Sequence, residues 1–147
     1  MKKLTISIFF FGLVAMLSTT AFAQSVDPQE RLKKHINDVV EEVHKTENPD
    51  EKRAVLNRSL GNLISTVDKV EGMDRVPEED LNTLADLKQN LQDKKDELNG
   101  ENGYAKVPAN QLNNFANFVQ QDLEQADTVV TLSLTTALLI VLILLLL

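Results

Sequence analysis

The C-terminal nineteen residues, Val129 to Leu147, carry no charge, and they limit what this chain can become more than any other stretch. Fifteen of them are Val, Leu, Ile or Ala; the exceptions are Thr131, Ser133, Thr135 and Thr136. A helix of that length measures roughly 28 Å, close to the hydrocarbon core of a bilayer at about 30 Å. Its Leu, Ile and Val residues favour insertion by about 4 to 8 kcal/mol as an upper bound, and one central Asp or Lys would cancel about half of that. Left in water, a helix apolar on every side is a large exposed patch. A chain of 147 residues has little interior in which to hide one. The segment is therefore expected to be a C-terminal transmembrane helix over 129–147.

The other end reads as a targeting segment. Met1-Lys2-Lys3 is a short positive start, Leu4 to Leu17 is apolar apart from Thr and Ser, and Ala21-Phe22-Ala23 has the small-x-small form that a signal peptidase reads. The apolar stretch is short for a span, so a cleaved signal peptide over 1–23 is expected, with an uncleaved anchor as its rival. The Lys-Lys start and the Ala-x-Ala-Gln junction have a bacterial look. There is no cysteine, which removes disulfides, thiol chemistry and a cysteine-linked lipid anchor.

Charge then narrows the partners. The chain has 22 acidic and 15 basic residues; losing Lys2 and Lys3 leaves 13 basic residues and a net charge of −9. Four of the six phenylalanines, Phe9, Phe10, Phe11 and Phe22, lie in the signal segment. An acidic, aliphatic remainder lacks the basic face that nucleic acid requires. It equally disfavours docking on anionic lipid headgroups, which attract juxtamembrane Lys and Arg. Orientation follows from the front: the Lys-Lys start stays inside, the body is exported and the tail stops transfer.

Between the two ends, each of the four prolines precedes a stretch of helical periodicity. Asp27-Pro28-Gln29-Glu30 places an N-cap Asp before Pro at the first helical position, and Asn48-Pro49-Asp50-Glu51 repeats that grammar. VPEEDLNTLADLKQ (76–89) and VPANQLNNFANFVQ (107–120) share six of fourteen positions, a likeness short of a repeat array. Gly72 and Gly100 stand where C-terminal caps belong. Predicted helices are Pro28–Thr46, Pro49–Glu71, Pro77–Leu98 and Pro108–Asp127. Their stripes recur at three- and four-residue steps: Leu32, Ile36, Val39, Val40 and Val43; Leu56, Leu60, Leu63, Ile64 and Val67. The third helix offers Leu81, Leu84, Leu87, Leu91 and Leu98, and the fourth Leu112, Phe115, Ala116, Val119, Leu123 and Ala126. Short links favour antiparallel neighbours and an up-down bundle; Leu84, Leu91 and Leu98, seven apart, leave a coiled-coil hairpin as the alternative. With no Pro or Gly from Ala109 onward, the fourth helix is expected to run straight on into the tail.

Chemistry-bearing motifs are thin. His35 and His44 are nine apart, on opposite sides of a helix. Ser59 and Ser65 have no pattern tying them to either. Glu41-Glu42-Val43-His44 contains one Glu-x-x-His, the motif that di-iron bundles use twice, and Glu41 points away from the apolar stripe. Glu78-Glu79-Asp80 lacks calcium-loop spacing and sits where carboxylates favour a helix start. Asn99 to Val107 is the longest connection, with Tyr104 expected to fold onto the end of the bundle. Asn57-Arg58-Ser59 matches a glycosylation acceptor inside a helix, where it carries no weight.

Together these features predict an all-α protein: a signal peptide at 1–23, an acidic up-down bundle of about four helices over 24–128 and a transmembrane helix at 129–147. It is expected in the cell membrane as a single-pass protein, with the bulk of the chain on the periplasmic or extracellular side. The predicted role is interaction or structure rather than catalysis, with no catalytic, cofactor-binding or metal residues assigned. Expected partners are membrane lipid through 129–147 and a cationic envelope protein or wall component, not nucleic acid. Two alternatives stand beside this. One is a small periplasmic chaperone-like or ligand-binding helical protein. The other, in a eukaryote, is a GPI-type lipid-anchored surface protein with Ala126 to Thr128 as the processing site.

Overall fold

The computed structural model describes residues 27–125 and 132–147. Among them are five α-helices and no strand: α1 (Pro28–Lys45), α2 (Pro49–Glu71), α3 (Glu78–Asn99), α4 (Leu112–Gln125) and α5 (Leu134–Leu146). A 3-10 turn, Ala109–Gln111, leads into α4. The signal segment 1–23 and the small-residue site Ala126 to Thr128 lie outside the described residues.

The helix starts follow the cap chemistry. Asp27 accepts from the Gln29 N–H at 3.0 Å, and Asn48 from the Asp50 and Glu51 N–H groups at 2.8 and 3.4 Å. Each satisfies donors that the first helical turn leaves unpaired. The α3 helix ends on Gly100 at φ 73°, where the amide returns to the carbonyls of Asp96 and Glu97. A Cβ at Gly100 would lie 2.7 Å from the Lys106 Cβ, so the position needs both the left-handed backbone and the missing side chain.

Helix α2 is central and packs on each of the other four. Lys88 of α3 bridges Asp68 at 3.0 Å and Glu71 at 2.6 Å on α2. Farther along, Asn57 and Asn99 exchange amide hydrogen bonds at 2.9 and 2.7 Å. Late α2 therefore meets early α3, and the two run antiparallel. Leu84, Leu91 and Leu98 are all buried along α3. Arg53 closes the α3–α4 connection by donating to the Leu98 carbonyl and, at 2.5 Å, to that of Val107. Lys94 ties α3 to α4, 3.5 Å from Asp122 and 4.2 Å above the Phe118 ring.

The tail departs from expectation. No helix among the described residues is long and apolar enough to cross a membrane. Helix α5 has 13 residues, about 20 Å at 1.5 Å per residue and well short of a bilayer core. Nor is it a continuation of α4: Ser133 is extended at φ −59°, ψ 154°, and its side chain accepts from the Thr136 N–H as an N-cap. Neither Pro nor Gly was needed for this break. The Ser133 hydroxyl pairs an N–H that the first turn of α5 leaves without a helical partner. From there α5 packs on α1 and α2 as a fifth member of the bundle. A void of ≈ 20 Å³ at the centre is lined by Leu32, Ile36, Leu63, Val67, Leu87, Leu91, Leu123 and Ile140, contributed by all five helices.

Candidate functional site

The C-terminal helix is the part of the fold with unusual chemistry on both of its faces. Its inner face carries small and branched residues: Thr136, Ala137, Ile140, Val141 and Ile143 are buried. Small residues let the helix approach closely, and Ile140, 1% exposed, fills the middle of the bundle. At its start, α5 is held by a buried carboxylate. Asp80, in the first turn of α3, accepts from the Ser133 hydroxyl at 2.5 Å and the Ser133 N–H at 3.2 Å, and from the hydroxyl of the fully buried Thr136. Burial alone would push the Asp80 carboxyl up; the Ser133 hydroxyl, the Thr136 hydroxyl and the Ser133 N–H outweigh it and hold the group below its ordinary 3.8. The aspartate thus stays charged while buried, paired with donors rather than with a cation. It works as a latch.

The outer face is the opposite. Leu134, Leu138, Leu142 and Leu145, spaced four, four and three, form one exposed row continued by Leu146 and Leu147, each 50% to 78% exposed. Near the end of α5 this row borders a cleft of ≈ 250 Å³ against α1. One wall of the cleft carries Arg31, Lys34, His35 and Asp38; the other is Val141, Leu144 and Leu145.

His44 Nε2 lies 3.0 Å from Asn117 Oδ1 on α4, while Glu41 is exposed and pairs with Lys45 at 2.5 Å. The Glu-x-x-His pair is thus divided between two separate contacts. His35 faces the α1–α5 cleft, away from His44. No hydrogen bond among the described residues joins Ser59 or Ser65 to a histidine, and no group of three or more His, Cys, Asp or Glu there could hold a metal ion. Asn57 is engaged with Asn99. Tyr104 is 43% exposed rather than folded onto the bundle end; Val107 takes the buried place in that connection.

Two features escaped the sequence reading. Asp80 was visible only as one of three acidic residues at a helix start, and Ser133 and Thr136 only as polar exceptions in an apolar run. Ser133 itself is the usable signal, since serine is a favoured N-cap residue and Thr136 supplies the N–H it caps. The cationic wall of the cleft was hidden by the net negative charge. Set against known proteins, the chain matches no family model, no curated protein and no solved structure.

Proposed function

We propose that this chain is a membrane-attached helical interaction protein, held through its C-terminal apolar segment with the acidic bundle on the extracytoplasmic side. The observation that carries this is the exposed leucine row of α5. Complete burial of one leucine side chain is worth about 1.5 to 3 kcal/mol, so six leucines left half or more in water are a standing cost. Lipid removes that cost without requiring a shaped partner. The signal-like segment at 1–23 supports export, and the acidic surface of the bundle suits a cationic envelope protein or wall component.

Attachment takes one of two forms. With α5 seated, its outer row lies on the bilayer surface. A single span over 129–147 instead requires Asp80 to release Ser133 and Thr136 and the backbone at Ser133 to become helical. Fractionation tests both. The full chain is expected in the membrane fraction, and a chain ending at residue 128 in the soluble one. Alkaline washing releases a surface-attached protein and leaves a spanning one behind. Full-length protein recovered without detergent from a soluble fraction would refute attachment in either form.

A second reading, a chaperone-like protein, is favoured by the seat of α5 itself. A bundle that shelters its own apolar helix has a surface of the kind an apolar client segment would use. Suppression of client aggregation by the chain lacking 129–147, and not by the full chain, is the outcome that supports it.

A further inference from the structure

The cleft between α1 and α5 has two walls of different chemistry. Lys34 in its α1 wall is bridged to Asp38 at 2.7 Å, which offsets one positive charge. Arg31 is exposed, and its guanidinium forms no ion pair among the described residues. His35 stands half-buried beside it with ring nitrogens to offer. The opposite wall is hydrocarbon and continuous with Leu146 and Leu147 of the outer row. A polar anion with an apolar chain matches both walls; a free anion matches only one. We propose that this cleft binds an anionic membrane phospholipid, with its phosphate on Arg31 and His35 and part of one acyl chain along Val141, Leu144 and Leu145.

Several physical points support the assignment. A guanidinium donates two parallel hydrogen bonds to a phosphate, a geometry that an ammonium cannot reproduce. At ≈ 250 Å³ the cleft is below the ordinary size of a site that encloses a whole small molecule. It has room for a headgroup and the start of a chain, leaving the rest in the bilayer. The net charge of the chain disfavours anionic surfaces only on average. Folding brings Arg31, Lys34 and His35 to the end of the apolar helix, where an anionic headgroup meets them first. The site presupposes the attachment proposed for α5 in its seated form.

Vesicle flotation of the full protein, diluted from detergent, tests the site. The vesicles are phosphatidylcholine with or without phosphatidylglycerol, at fixed ionic strength. Stronger binding to the anionic vesicles is expected. Arg31→Gln should reduce that preference about fivefold, leaving binding to phosphatidylcholine alone unchanged. Lys45→Gln, which removes one positive charge at the far end of α1, should leave the preference intact. Equal binding to both vesicles, or equal loss in the two variants, overturns the lipid site while sparing attachment. Binding to neither vesicle overturns attachment and the site together. Binding of inorganic phosphate to the detergent-held protein, lost in Arg31→Gln, together with equal binding to both vesicles, assigns the wall to a free anion and overturns the lipid assignment.

Discussion

Asp80 shows how much one side chain decides in this protein. It is 3% exposed, and its only partners among the described residues are donors at the start of α5. A hydrogen bond to a charged group contributes about 1.5 to 3 kcal/mol, and orphaning a buried partner costs about 1 to 3 more. Asp80→Ala should therefore destabilise the seat by about 3 kcal/mol and sharply accelerate amide hydrogen exchange in α5, with exchange in α2 and α3 much less affected. The pH dependence has a definite sign. The folded-state pKa lies below the ordinary 3.8, so the latch contributes fully above that value and is lost as pH falls through the lower folded one. The stability gap between the native protein and Asp80→Ala should stay constant from about pH 7 to 5 and close only in stronger acid. At Gly100, Ala would need φ 73° and a Cβ 2.8 Å from the Lys106 amide nitrogen. Gly100→Ala should cost at least about 1 to 2 kcal/mol, read as a lower urea midpoint at unchanged slope.

At the scale of elements, the four body helices were legible because their signals are local. Asp27-Pro28 and Asn48-Pro49 start α1 and α2 where the caps put them, and Gly100 stops α3 by geometry that only glycine accepts cheaply. The stripe of α2 was also readable: Leu56, Leu60, Leu63 and Val67 are all buried. Helix α4 begins at Leu112 rather than at Pro108 because a 3-10 turn intervenes. For α5 local pattern had nothing to say. A helix apolar all round has no preferred face, and the choice of Ile140 inward and Leu142 outward was made by neighbours. That choice can be tested in pairs. Ile140→Ala should cost about 2 to 4 kcal/mol as a core truncation. Leu142→Ala should change stability by less than about 0.5 kcal/mol yet weaken vesicle binding. The reverse pattern would show that α5 is seated on its other face.

For the whole molecule, the central question is what an apolar tail does to an acidic bundle. With α5 seated, Ile140 stands at the centre of the bundle and lines one void with Leu32, Leu63 and Leu87. Ending the chain at residue 128 should therefore have two effects together: release from membranes, and an apolar surface that binds a hydrophobic dye and lowers the thermal midpoint. A truncated protein as stable as the full one, with no dye binding, would mean that α5 adds nothing to the core. The same fold gives the cations of α1 a position that net charge does not show. Charge counted along a chain carries no position, and Arg31, Lys34 and His35 acquire theirs only when α1 meets the end of α5.

By itself the sequence determined that the body is helical, where α1, α2 and α3 begin and end to within a residue, and most of the apolar stripe that each of α1 to α4 turns inward. Caps, prolines and three-and-four spacing act over a few residues, so they can be read without knowing the fold. Only the tertiary structure decided the place of α5, the burial of Asp80 beneath it and the two-walled cleft at its end. Those depend on groups far apart in the chain, such as Asp80 with Thr136 and Arg31 with Leu145, and no short-range pattern encodes such meetings.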